Sequence, residues 1–392
     1  ISPHSSSSTP GDADDWELVD VVETAERQEE QKEAAAKISA RAAAPSASAS
    51  LSSSAPSSSG SIDEPENEAE AEGSHRIKIN AETFARVGAE EILKVHYVTF
   101  ENVTFRRRWM SSFGTTPRVC SMLWSRIDPT TSFKEEDGTD RGRAVRPRHL
   151  LWALLWLRVY GSETQLRQMV ALNPSHPNYT AIDEKTFRKW KDLFVRAISL
   201  LESKVIIWSN RFMNDLGNDA RVTIDGTDMH CELRFDKRFY SHKFKKGGLK
   251  YELGLCIRSG SIVWINGPFR CGLPDISVSR QAILYALSEG ERVEADLGYR
   301  GEELKINTPN EFGKEDLECM KSIARSRHET ANGRMKVFGV LAQRYRHDIQ
   351  DHSRCFRAVA VIVQLNIETD APLFQVDYDP NSLSEYSEYT FY

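Results

Sequence analysis

The chain has no CxxC pair and no Cys/His cluster at zinc-ligand spacing. Its six cysteines, Cys120, Cys231, Cys256, Cys271, Cys319 and Cys355, are scattered singly. That excludes a zinc ribbon and a disulfide framework, and reads as free thiols in a reducing compartment. Long apolar runs are also missing. The longest, 150–157 and 358–363, fall well short of the ~18 residues that span a bilayer, so no membrane partner is expected. Because the chain begins at Ile1 rather than Met, no targeting signal is read from its start. Large apolar side chains are scarce across 1–75, where Ser and Ala runs dominate, and such a stretch buries too little surface to offset its ordering entropy.

What is present is charge, unevenly spread over 392 residues with a net of −6. Residues 1–75 hold 16 acids against 4 bases, and the last 25 residues hold six acids and no base. With −12 and −6 at the two ends and −6 in all, the segment between them carries +12. A basic body between acidic ends suits contact with a polyanion, although a solvated surface would look the same. Composition divides the chain into a disordered acidic and Ser-rich tail at 1–75 and an irregular lead-in with an exposed loop at 76–140. A helical unit at 141–210, an α/β domain at 211–367 and an acidic tail at 368–392 follow.

In the helical unit, 149–160 is apolar all round and reads as a buried helix. Ser162 is placed to cap a second helix carrying Leu166, Met169 and Val170. Asp183 is placed to cap a third, expected from 184 to about 208, with Phe187, Trp190, Phe194, Ile198 and Leu201 on one face. Three helices with Arg188 and Lys189 on the last are similar to a helix-turn-helix DNA-binding unit; an ordinary bundle with exposed bases has the same pattern. The period then changes. Strands are expected at 222–224, 251–258, 262–265 and 292–295, and helices at 277–287, 324–341 and 353–366, giving a mixed sheet covered by helices.

Four acids fall at informative places in that pattern. Asp225 follows the first strand, Asp296 follows the last, Glu329 lies in a helix and Asp275 precedes one. Carboxylates converging from strand ends and a helix can hold two hard divalent cations for phosphodiester cleavage. Taken singly, Asp225 could serve a turn, Asp275 could cap the helix near Ser277, and Glu329 could pair with Arg325 or Lys336. His328, beside Glu329, points about 100° away on a helix and reads as structural.

The strings IDGT (224–227), GPFRCGLPD (267–275), ADLGYRG (295–301) and RHETANGRMK (327–336) resemble the Harbinger-type DDE superfamily endonuclease domain in order and interval. The resemblance covers roughly 145–368. It implies an RNase H-like fold, with Asp225, Asp296 and Glu329 as the catalytic acids and Asp275 as a further acid of a metal site holding two Mg²⁺ or Mn²⁺. It implies DNA as substrate, transposon ends and target alike, a nuclear location, a Myb-like accessory DNA-binding partner, and a chain able to form a homo-oligomer. Leu297 departs from the family pattern, which often has a small polar residue there. A transposase-derived protein that binds DNA without cutting it would carry the same strings.

Between the first two acids, 238–250 interleaves bases with aromatics. Lys243, Lys245, Lys246 and Lys250 are expected to neutralise phosphates, with Tyr240 or Phe244 stacking on a base. Inward-packed aromatics with solvated lysines are the alternative.

Overall fold

A computed structural model describes residues 79–129, 133, 145–171, 182–213, 217–232, 236–309 and 315–378. The tail at 1–75, most of the loop expected within 128–143, and the chain end from 379 lie outside the described residues.

The 76–140 segment, expected to be irregular, is largely helical where it is described, with irregular connections at 94–102 and 114–116. Asn80 caps α1 (Ala81–Val87), which widens into π-type turns over Gly88–Leu93. Asn102 caps α2 (Val103–Phe113), and Gly114 ends it at φ 69°, a left-handed geometry that glycine adopts without a Cβ penalty. Thr116 caps α3 (Pro117–Ile127), with Pro117 in the first turn, where its missing N–H is not needed. Phe105, Trp109 and Phe113 recur every four residues along α2 and are buried. These caps outweigh the polar composition that masked the helices.

α4 (Pro147–Val159) is buried on nearly every side, as its sequence requires. It ends at Tyr160, whose left-handed φ of 54° turns the chain before Gly161. The Ser162/Gln165 capping box opens α5 (Glu163–Val170), on which Leu166 and Val170 are buried but Met169 is exposed. Asp183 caps α6 (Glu184–Ser199); the helix stops there rather than near 208, and a short helical turn at Glu202–Val205 follows. Phe187, Trp190, Phe194, Ile198 and Leu201 all point inward.

The sheet follows. β1 (Ala220–His230), β2 (Tyr240–Ser241), β3 (Lys246–Cys256), β4 (Ile262–Arg270), β5 (Arg292–Glu294) and β6 (Ile306–Asn307) form it. β1 pairs antiparallel with β3, and β3 with β4; on its other side β1 pairs parallel with β5, and β5 with β6. Alternation divides the faces. Val222 and Ile224 face α7 (Asp275–Ser279) and the short turn Ile283–Ala286, sharing a core with Trp264, Val293, Ala295 and Tyr299. Thr223, Asp225 and Met229 face α8 (Glu315–Lys336) and α9 (Gln350–Thr369). The fold is thus mixed α/β, a mixed sheet flanked by helices.

All described residues belong to one compact unit, Ile77–Tyr392. The boundary expected at 210 is therefore not a break between cores, because one continuous core joins α2, α4 and α6 to β3 and α9. The tail expected from 368 also starts too early: Leu373, Val376 and Tyr378 are buried, and the Tyr378 hydroxyl donates to Glu294. Among the described residues no helix is long and apolar enough to cross a membrane.

Candidate active site

Asp225 is not at a strand end. β1 runs five residues beyond it to His230, held by β3 through the pair Asp225↔Leu253. What ends near Asp225 is β1's other neighbour, since the parallel register with β5 stops at Thr223↔Glu294. Two residues further along each strand stand Asp225 and Asp296, on the same face by the strand period of two. The sheet is open on this side of Asp225, so both carboxylates sit at the C-terminal end of one parallel pair.

Charge repulsion records their closeness. Burial first, then the charges of Asp296 and Asp275, push the Asp225 carboxyl up to about 6. Its Oδ2 accepts from Asn332 Nδ2 at 3.1 Å. Asp296 is exposed and accepts from the Gly298 amide at 2.9 Å, which fixes the turn leaving β5.

α8 runs along this face in step with the strands. His328 Nε2 meets Thr223 Oγ1 at 2.9 Å, and Asn332, four residues on, meets Asp225, two residues on. A helix rises about 6 Å in four residues and a strand about 6.6 Å in two, so the elements stay in register. Arg325 lies 3.6 Å from Glu294 of β5. Glu329 is one turn beyond Arg325 on the same face, just as Asp296 is two residues beyond Glu294. Glu329 is exposed and no ion pair holds it among the described residues, Arg325 and Lys336 included. His328 is fully buried, and its imidazole is pushed down to about 4 by that burial, which makes it a neutral packing group.

Asp275 is not a helix cap. Pro274 holds the cap position and Asp275 is the first residue of α7. Its Oδ1 accepts from Lys250 Nζ at 2.6 Å. Two glycines make room for the carboxylate: a Cβ at Gly226 would stand 2.8 Å from Oδ1, and one at Gly298 would stand 3.1 Å from Oδ2. The same Cβ at Gly226 would lie 3.6 Å from the Tyr299 hydroxyl, which is buried with no hydrogen-bond partner among the described residues. Burial, followed by the charges of Glu252, Asp275, Asp225 and Asp296, raises the Tyr299 hydroxyl far above its ordinary range.

Three of the expected phosphate contacts, Lys243, Lys245 and Lys246, are exposed around the turn into β3. Lys250 differs: it is buried within β3, where it also donates to Leu273 O at 2.8 Å, so it neutralises an acid rather than facing solvent. Phe244 is half-buried and stacks on His230 with centroids 5.9 Å apart, while Lys336 Nζ sits 5.9 Å from its ring. Arg188 is committed to Glu163 at 2.6 Å, and Lys189 is exposed beside Trp190. Asn332, Lys336 and Tyr299 join the site without a sequence signal of their own. Asn332 was within reach of one, since it lies four residues after His328 and three after Glu329 on one helix.

Asp225, Asp296 and Glu329 offer only oxygen donors, and Asn332 Oδ1 has no hydrogen-bond partner among the described residues. This donor set suits a hard cation such as Mg²⁺ or Mn²⁺. Among the described residues no group of three or more His, Cys, Asp or Glu side chains is placed to hold a metal ion, so Glu329 is not brought together with Asp225 and Asp296 as a ready set of ligands. No family model, curated protein or solved structure matches this chain.

Proposed function

We propose that this chain is a divalent-metal-dependent DNA endonuclease of the transposase type, with an RNase H-like domain of the Harbinger DDE class. The observation that carries the reading is the pair Asp225 and Asp296 at the open C-terminal end of adjacent parallel strands, where burial first, and then the charges of Asp296 and Asp275, raise the Asp225 carboxyl to about 6. A site that keeps repelling carboxylates together is one whose charge is relieved on loading. Asp225, Asp296 and Glu329 would hold two Mg²⁺ or Mn²⁺ ions, which when bound activate the attacking hydroxyl and stabilise the leaving oxygen.

On this reading Lys243, Lys245 and Lys246 steer a DNA strand toward the acids, and Lys336 extends that basic border beside Asp225 and Asp228. The capped helices α5 and α6, with Lys189 exposed, serve as a helix-turn-helix-like contact to the duplex. The protein acts in the nucleus at transposon ends and target DNA, with a Myb-like accessory protein and as a homo-oligomer.

The test is nicking of supercoiled DNA carrying the gene's own flanking sequence, with Mg²⁺ and with EDTA. Wild-type protein is expected to nick only with Mg²⁺. Asp225→Asn is expected to abolish nicking while retaining gel-shift binding of the same DNA. Equal nicking by the variant sinks the assignment, and binding without nicking by wild type favours a DNA-binding descendant of such an enzyme.

A further inference from the structure

Strand parity separates Asp275 from Asp225, while its Oδ2 and Asp296 Oδ1 come to the same spot, 3.1 and 3.0 Å from where a Cβ at Gly298 would stand. Consecutive residues of β1 point to opposite faces, so Asp225, bonded to Asn332 of α8, is on one face and Gly226 is on the other. Asp275 Oδ1 packs against Gly226, on the face away from α8. Lys250 is on that far face too, because it is paired directly with Asp228, two residues after Gly226. Glu252, paired with Gly226, lies there as well and bonds Ser279 and Trp264.

The Lys250 ammonium has little freedom. Its side chain is 11% exposed, and it donates both to Asp275 Oδ1 at 2.6 Å and to Leu273 O at 2.8 Å. The carboxylate is wedged in turn between Gly226 and Gly298. Tyr299, 1% exposed, brings to the same spot a hydroxyl with no hydrogen-bond partner among the described residues.

We propose that Asp275 is a positioning residue and not a metal ligand, neutralised by Lys250 as an internal cation beneath the metal face. This inference rests on the acid-site reading above and refines its ligand set. With Asp275 and Lys250 cancelling, Asp225, Asp296 and Glu329 contribute three negative charges and a substrate phosphodiester a fourth, which two divalent ions balance. The pair shapes the floor: it holds the turn before α7 against Gly298, and so fixes the loop that carries Asp296.

The test is a double-mutant cycle on the full chain, reading Mn²⁺ affinity and stoichiometry from the electron paramagnetic resonance of free Mn²⁺. Lys250→Met leaves a half-buried, unpaired Asp275 and is expected to tighten Mn²⁺ at least tenfold or add one bound ion. Lys250→Met/Asp275→Asn removes the pair as a neutral unit and is expected to bind Mn²⁺ within about threefold of wild type. Lys250→Gln/Asp275→Asn gives the same comparison with hydrogen-bonding side chains, should the methionine variant fail to fold. Asp225→Asn is expected to weaken Mn²⁺ at least tenfold. A double variant as weak as Asp225→Asn, or a Lys250→Met variant no tighter than wild type, overturns the proposal. An Asp225→Asn variant that binds Mn²⁺ like wild type instead overturns the metal-site reading beneath it.

Discussion

Asp225→Asn should stabilise the protein while disabling it, with a pH dependence fixed by its carboxyl. In the folded chain that group is raised from 3.8 to about 6 by burial and by Asp296 and Asp275. A tenfold change in proton affinity is worth about 1.4 kcal/mol, so ionising the group in the folded state costs roughly 3 kcal/mol above pH 7. Asp225 retains some solvent contact, so screening lowers the expected figure to about 2 kcal/mol. Well below 3.8, near pH 3, the carboxyl is protonated both folded and unfolded, and nothing is lost. Between about 4 and 6 the unfolded chain releases its proton first, so this group's contribution falls as pH rises and is lowest above 6. Asparagine keeps an oxygen acceptor for Asn332 Nδ2 and removes the charge. Urea denaturation in EDTA should therefore show Asp225→Asn more stable by about 2 kcal/mol at pH 8 and equal to wild type near pH 3. Adding Mg²⁺ should close the gap at pH 8 by stabilising wild type alone. A variant that is less stable at pH 8, or whose full advantage persists at pH 3, refutes the reasoning.

Gly226→Ala is expected to destabilise by about 1–3 kcal/mol, although it replaces a mid-strand glycine, because its Cβ would press on Asp275 and the rigid strand cannot yield; a urea midpoint equal to wild type would show that the carboxylate is not wedged there. Tyr299→Phe removes a buried hydroxyl that has no partner among the described residues, so metal-free stability should change by less than about 0.5 kcal/mol or rise slightly, as measured by the same titration. Lys243→Ala and Lys246→Ala should each weaken binding to any DNA sequence alike and flatten the slope of log affinity against log salt by about one. Slopes unchanged from wild type would place the DNA path elsewhere.

Local signals in the sequence carried much of this fold. Ser162 and Asp183 cap the helices they precede, and the buried face of α6 follows from 3.6-residue spacing alone. The lead-in helices are harder to see because α1 and α2 are short and polar on most sides, and Trp109 finds its pocket only against Gly88 and other distant residues. Gly226 and Thr227 look like a turn, which makes Asp225 resemble a strand end. The strand continues through them because β3 supplies partners as far as His230. Lys250 resembles a phosphate contact since it closes a run of lysines. Its depth depends on the register with Asp228, which pairing decides and composition does not.

The two faces of the sheet give the site a division of charge that no linear spacing reveals. On the α8 face, Asp225, Asp296 and Glu329 have no cationic side chain bonded to them among the described residues. On the opposite face Asp275 is matched by Lys250, and Glu252, pushed up to about 7 by complete burial, is largely held as the neutral acid below that pH. Asp275 already helps to raise Asp225, and without Lys250 its charge would weigh more on that cluster and weaken the fold. The Lys250 pair keeps the acids close at lower cost. The strand period of two therefore decides more than which side chains meet: it sets Asp225 and the Gly226 cradle of Asp275 on opposite faces of β1, and so decides which acid Lys250 neutralises.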